Sequence, residues 1–136
     1  METHRNGDTD RVTILIDTNA FLMTSQFKID LFEEIRFLLG SVRMAVPEIV
    51  IRELEGLAKG KGNNASAARL GLQFAKGCEV IPSSGDGTPD EQIFNSAKDL
   101  RCGVVTNDRR LRDLILKEGL PVVSLSGKQK LELIRR

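Results

Sequence analysis

The chain has 136 residues, enough for one domain with a core of its own. With 40% hydrophobic residues, 29% charged residues and a net charge of +1, it reads as a soluble globular protein whose overall field does not draw in nucleic acid, so any attraction to phosphate must be local. No apolar run nears the roughly 18 residues of a membrane span; one histidine, two distant cysteines, no Trp and no Tyr argue against histidine catalysis, a zinc or redox cysteine pair, and base stacking on aromatics.

Residues 1–10 are polar and lack the apolar stretch of a signal peptide. They are expected to form a flexible tail, holding the lone His4, ahead of a single domain over 11–136 in a reducing cytoplasm. Five short apolar runs then read as strands: 12–16, 43–46, 78–81, 103–106 and 121–124. Cys78 opens one of them, Cys102 directly precedes another, and both read as small buried side chains. Helical patterns of about 10 to 14 residues fill the intervals. Asp30 with Glu33 and Thr88 with Glu91 are capping-box spacings, and Pro47 and Pro89 suit first helical positions. Gly40, Gly60, Gly77 and Gly119 read as helix ends. The alternation predicts a three-layer α/β/α sandwich around a mostly parallel sheet of four to five strands.

In such a sheet ligands bind beyond the carboxyl ends of the strands. "VTILIDTN" places Asp17 there and "GVVTND" places Asp108 there. Asp17 alone could equally be a helix cap. Asp90 shares the apolar stripe of Ile93, Phe94 and Ala97, and Asp108 that of Leu111 and Ile115, so both should point inward. Asp113, about 140° around its helix, reads as surface charge. In "PEIVIRELEGLAKG" the stripe runs through Val50, Leu54, Leu57 and Ala58; Glu53 borders it at about 80°, Glu55 at about 120°, which mildly favours Glu53. Four inward carboxylates would repel and hold protons unless a cation joined them. Mg²⁺ or Mn²⁺ suits an all-oxygen setting and would support phosphodiester hydrolysis by an activated water.

The elements "ILIDTNAFL", "VPEIVIRELEGLAKG", "TPDEQIFNSA" and "GVVTNDRRLRDL", in this order and spacing, resemble the PIN domain family of metal-dependent ribonucleases from about residue 11 onward. The likeness is to archaeal single-domain members, toxins of toxin–antitoxin pairs and the PIN modules of RNA-processing endonucleases. It implies a catalytic set of Asp17, Glu53, Asp90 and Asp108, with Asp17, Asp90 and Asp108 on the metal. It implies that Thr18, Asn19, Thr106 and Asn107 orient ligands or the attacking water, although Thr106 and Asn107 could equally be helix caps. Residues 58–71 resemble the family's basic loop, where Lys59, Lys61 and Arg69 could meet RNA phosphates; a glycine cap and a solvated loop explain them equally. Arg109 is a further candidate for RNA contact.

The expectation is therefore an Mg²⁺- or Mn²⁺-dependent endoribonuclease of single-stranded RNA, as a processing or decay enzyme or as a toxin. Expected partners are RNA, an antitoxin or RNA-processing protein, and a second copy of the chain, with no membrane. Two rivals remain. A phosphoacceptor signalling domain shares the α/β pattern and acidic pocket, but would carry two adjacent acids after strand one and a Lys-Pro after the last. A non-catalytic RNA-binding scaffold on the same fold would not need the full acid set. "SGK" at 126–128 is not a P-loop, because the rest of the glycine pattern is absent.

Overall fold

A computed structural model describes residues 12–127 and 130–135; the expected tail with His4 lies outside the described residues. The chain runs β1 (Val12–Ile16), α1 (Thr18–Gln26), α2 (Leu31–Leu39), β2 (Val42–Pro47), α3 (Glu48–Ala58), α4 (Asn63–Ala75), β3 (Glu79–Ile81), α5 (Pro89–Leu100), β4 (Gly103–Val105), α6 (Arg109–Lys117), β5 (Val122–Ser126) and β6 (Lys130–Ile134). One sheet of order β3-β2-β1-β4-β5-β6 is flanked by helices. Its first five strands are parallel and β6 is antiparallel to β5.

All five expected strands form. The sixth was not expected, because it is not a nearly all-apolar run as the other five are. β6 alternates instead: Lys130 and Glu132 are exposed and Leu131 is buried. That pattern suits an edge strand with one wet face.

The local signals act as chemistry dictates. Thr88 and Glu91 close a full capping box at α5 with Pro89 at its start, while the Asp30 carboxyl accepts from the Glu33 N–H, 3.1 Å, at α2. Pro47 differs from expectation. It is extended, at ψ 145°, ends β2 and sits one residue outside α3. Having no polar side chain, it cannot cap α3; the hydroxyl of Ser83 accepts the Ile49 N–H from across the chain at 2.9 Å. Stretch 58–71 is mostly helix: α3 ends at Ala58 and α4 begins at Asn63. Ala67, Ala68 and Gly71 are buried on α4, and a Cβ at Gly71 would approach Phe21 Cβ to 3.0 Å, so small residues let α4 close on α1.

The core gathers Leu15 and Ile16 of β1, Val46 of β2, Val104 of β4, Val122 and Val123 of β5, and the helix residues Phe21, Ile35, Val50, Leu54, Ile93, Leu111 and Ile115. Leu57, expected on the α3 stripe, is 39% exposed. Among the described residues no helix is long and apolar enough to cross a membrane.

Candidate active site

The order of the sheet reverses at its centre. β1 is followed by β2 on one side, while the chain returns from β3 to lay β4 on the other. At such a switch point the two following connections diverge and leave a crevice at the carboxyl ends of the strands. Ile16 pairs with Val105, and the Asp17 N–H extends the ladder one residue by donating to the Val105 carbonyl at 3.0 Å. The chains then part into α1 and α6. Asp17 and Asp108 stand at the two sides of the split as the caps of these helices. Both readings of Asp17 therefore coincide: it caps a helix and it lies, 4% exposed, in the crevice.

A web of hydrogen bonds holds this rim. Asp17 Oδ1 accepts the Thr18 N–H at 2.7 Å and Oδ2 accepts the Thr106 hydroxyl at 2.6 Å. Thr106 Oγ1 in turn accepts the Asp108 N–H at 3.0 Å. One buried hydroxyl thus joins the two acids that follow β1 and β4. Asp108 Oδ1 accepts the Leu111 N–H at 3.0 Å, capping α6. The Thr18 hydroxyl donates to Glu53 Oε1 at 2.5 Å and ties α1 to α3. Asn19 Oδ1 accepts the Asn107 N–H at 3.1 Å. Asn107 Oδ1 accepts the Leu125 N–H at 2.5 Å and the Ser124 hydroxyl at 3.1 Å. The side-chain oxygens of Thr18, Asn19, Thr106 and Asn107 all serve this internal web.

Asp90 completes the group from the first turn of α5. Burial raises its pKa first, then the charge of Asp108 and a shared hydrogen bond with it, then the charge of Glu53; the Arg110 cation opposes them. Burial holds the Asp17 carboxyl up at about 7 from an ordinary 3.8, against the hydrogen bonds from Thr106 and Thr18. The charges of Asp90 and Glu53 push Asp17 in the same direction as burial. Asp17 thus lies in the field of Asp90 and Glu53, and Asp90 in that of Asp108 and Glu53, although the four come from separate stretches of chain. Glu55 and Asp113 are exposed, as their helix positions implied. Among the described residues, no three His, Cys, Asp or Glu side chains are drawn around a common point at metal-ligand spacing. Burial lifts the thiols of Cys78 to about 12 and Cys102 to about 11, so neither is a thiolate near neutral pH.

The model of the "PIN like domain" family matches residues 14–128. The chain belongs to the PIN domain family. A curated relative, ribonuclease VapC9 of Archaeoglobus fulgidus, is 28% identical over 123 residues, covering 90% of this chain and 89% of its own. The rRNA-processing protein fcf1 of Schizosaccharomyces pombe is 32% identical over 120 residues, 84% of this chain and 59% of its own. Among solved structures, the PIN domain endonuclease Utp24 superposes with a TM-score of 0.74 at 31% identity, covering 91% of this chain and 92% of that one.

The basic residues of this PIN domain fall in two groups. Lys59 and Lys61 are exposed, but the short turn that carries them lies toward the far end of α1, where Gln26 bonds to Asn64 at 3.0 Å. Thr18 and Gln26 are the two ends of α1, about 12 Å apart at 1.5 Å per residue. Arg69 donates to the Gly60 carbonyl at 3.1 Å and so braces that turn. Arg109 is exposed on α6, yet its neighbour Arg110 is the cation whose charge acts on Asp90. Arg110 belongs to the run of arginines that crowds the turn after Asp108. One further residue escaped sequence reasoning. Ser124 and its bond to Asn107 had no signal beyond a polar residue following two buried valines.

Proposed function

We propose that this PIN domain is an endoribonuclease that hydrolyses phosphodiester bonds of single-stranded RNA with water, using Mg²⁺ or Mn²⁺. One observation carries the reading: Asp17, Glu53, Asp90 and Asp108 reach the switch point from four separate stretches, where burial first, and then the charges of neighbouring acids, raise the proton affinity of Asp17 and Asp90. Relatives named as a ribonuclease and a PIN domain endonuclease support it.

The donor set fits a hard divalent ion. It is all oxygen, and its mutual repulsion is the state that a bound cation relieves. Asp17, Asp90 and Asp108 would hold the ion directly or through water, with Glu53 completing the negative cluster. A bound Mg²⁺ or Mn²⁺ supplies charge for the phosphoryl oxygens and makes an attacking water more acidic. The chain's own residues set the geometry. Thr106 fixes the rotamer of Asp17, Thr18 fixes Glu53, and the α6 cap fixes Asp108. Lys59, Lys61 and Arg109 are the exposed cations offered to RNA phosphates, and Arg110 stands nearer the acids.

The test is cleavage of an end-labelled, unstructured RNA with Mg²⁺, with Mn²⁺ and with excess EDTA. Asp17→Asn and Asp108→Asn are expected to lower the rate by roughly a hundredfold or more, with the fold retained by circular dichroism. Full activity in both variants, or cleavage that survives EDTA, rejects the proposal. The same chemistry serves RNA processing or decay and the toxin of a toxin–antitoxin pair. Induced expression separates these roles. A toxin arrests growth only with Asp17 intact and is relieved by a small co-expressed antitoxin.

A further inference from the structure

We infer that Ser124 is a positioning residue for the acid cluster and acts through Asn107. This rests on the nuclease reading above. The β4–β5 ladder continues past the end of β4, where the Thr106 N–H donates to the Val123 carbonyl at 2.9 Å. Beyond that point the chain turns into α6, and the next inward donor of β5, the Leu125 N–H, needs another acceptor. The side-chain carbonyl of Asn107 supplies it at 2.5 Å, and the Ser124 hydroxyl donates to the same oxygen at 3.1 Å. The Asn107 N–H is held in turn by Asn19 Oδ1 at 3.1 Å.

Asn107 is therefore clamped from two directions, by β5 and by the first turn of α1. Its two neighbours are the residues that matter most at the rim. Thr106 bonds Asp17 and accepts from Asp108, and Asp108 caps α6. Asn107 lies between them in the chain, so the bonds it makes help hold the backbone from which both extend. Ser124 is 5% exposed and follows the fully buried Val122 and Val123. A hydroxyl in such a place costs stability unless it is bonded, and its partner here is Asn107. The Leu125 N–H alone holds the oxygen at one point; the second donor fixes its orientation. Small displacements of a reacting group cost rate out of proportion to their size.

The experiment compares Ser124→Ala, Ser124→Thr and Val122→Ala in the full chain. Ser124→Ala is expected to lower kcat about tenfold with KM unchanged, and to weaken Mn²⁺ binding, read as free-ion signal by electron paramagnetic resonance. Ser124→Thr keeps the hydroxyl and returns both toward wild type. Val122→Ala removes buried volume from the same strand and lowers the melting temperature more than Ser124→Ala does, yet leaves kcat and Mn²⁺ affinity near wild type. Wild-type kcat and Mn²⁺ affinity in Ser124→Ala overturn the inference. So does a loss of kcat that merely follows the loss of melting temperature in both alanine variants. A wild-type chain that neither cleaves RNA nor binds Mn²⁺ removes the nuclease reading and this inference together.

Discussion

Asp17 meets two opposed demands in one side chain. Its oxygens accept from Thr18 and Thr106, which favours the charged form, while burial favours the neutral form and prevails, to about 7. The sign of the stability effect follows. An acid with a folded-state pKa above its unfolded 3.8 binds its proton more tightly when folded. The resulting stability is fully present below the unfolded value and is lost as pH rises through the folded one. In excess EDTA the wild-type protein should therefore lose more stability than Asp17→Asn between about pH 4 and 7. The difference is at most on the order of 4 kcal/mol. Parallel chemical denaturation series of the two proteins at each pH would check this; identical pH profiles would contradict it. Asp17 as a candidate was legible because an apolar strand stopped on it. That Thr106 is its partner was not legible, because the bond spans 89 positions of sequence.

At the scale of elements, the site depends on how closely β4 and β5 approach. Gly103 permits it. A Cβ there would lie 2.6 Å from the Pro121 carbonyl oxygen and 2.9 Å from its ring. Gly103→Ala must push the strands apart and should cost about 1–3 kcal/mol, seen as a lower urea midpoint with an unchanged m-value. Because Thr106 and Asn107 hang from the same pair of strands, RNA cleavage should fall as well; full stability in this variant would show that the strands can part freely. Helix positions were legible from caps: Thr88–Glu91 and Asp30 each sit where their spacing placed them. The helix nature of 63–71 was hidden by Gly60 and Gly62 before it and by Asn63 and Asn64, which read as loop; burial of Ala65, Ala67, Ala68 and Gly71 against neighbouring helices overrides that propensity. The inward side of α3 was partly legible. Glu53 meets Thr18, but only the arrival of α1 decides this.

For the whole molecule, folding without a cation gathers like charges at one edge of the sheet. A divalent ion that binds only the folded state should stabilise it, by about 2.7 kcal/mol at a hundred times its dissociation constant. The melting temperature with millimolar Mn²⁺ is thus expected to exceed that in EDTA by several degrees, and Asp17→Asn should shrink the gap. Equal melting temperatures would remove the ion from the proposed chemistry.

The sequence alone determined the layered α/β architecture and the parallel order of secondary elements, and it marked Asp17, Asp90 and Asp108 as acids at strand ends or on inward helix faces. Each depends on a property a residue carries by itself or shares with neighbours a few positions away: apolarity, periodicity, capping, a charge at a strand end. The tertiary structure alone decided that Thr106 bridges Asp17 and Asp108, that the Asn107 side chain accepts from Ser124, that the Arg110 charge acts on Asp90, and that β6 pairs antiparallel at the edge. Hydrogen bonds act over about 3 Å and require a particular direction. Which groups meet at that range is set only after the sheet has ordered its strands, so pairs remote in sequence cannot be read from either partner.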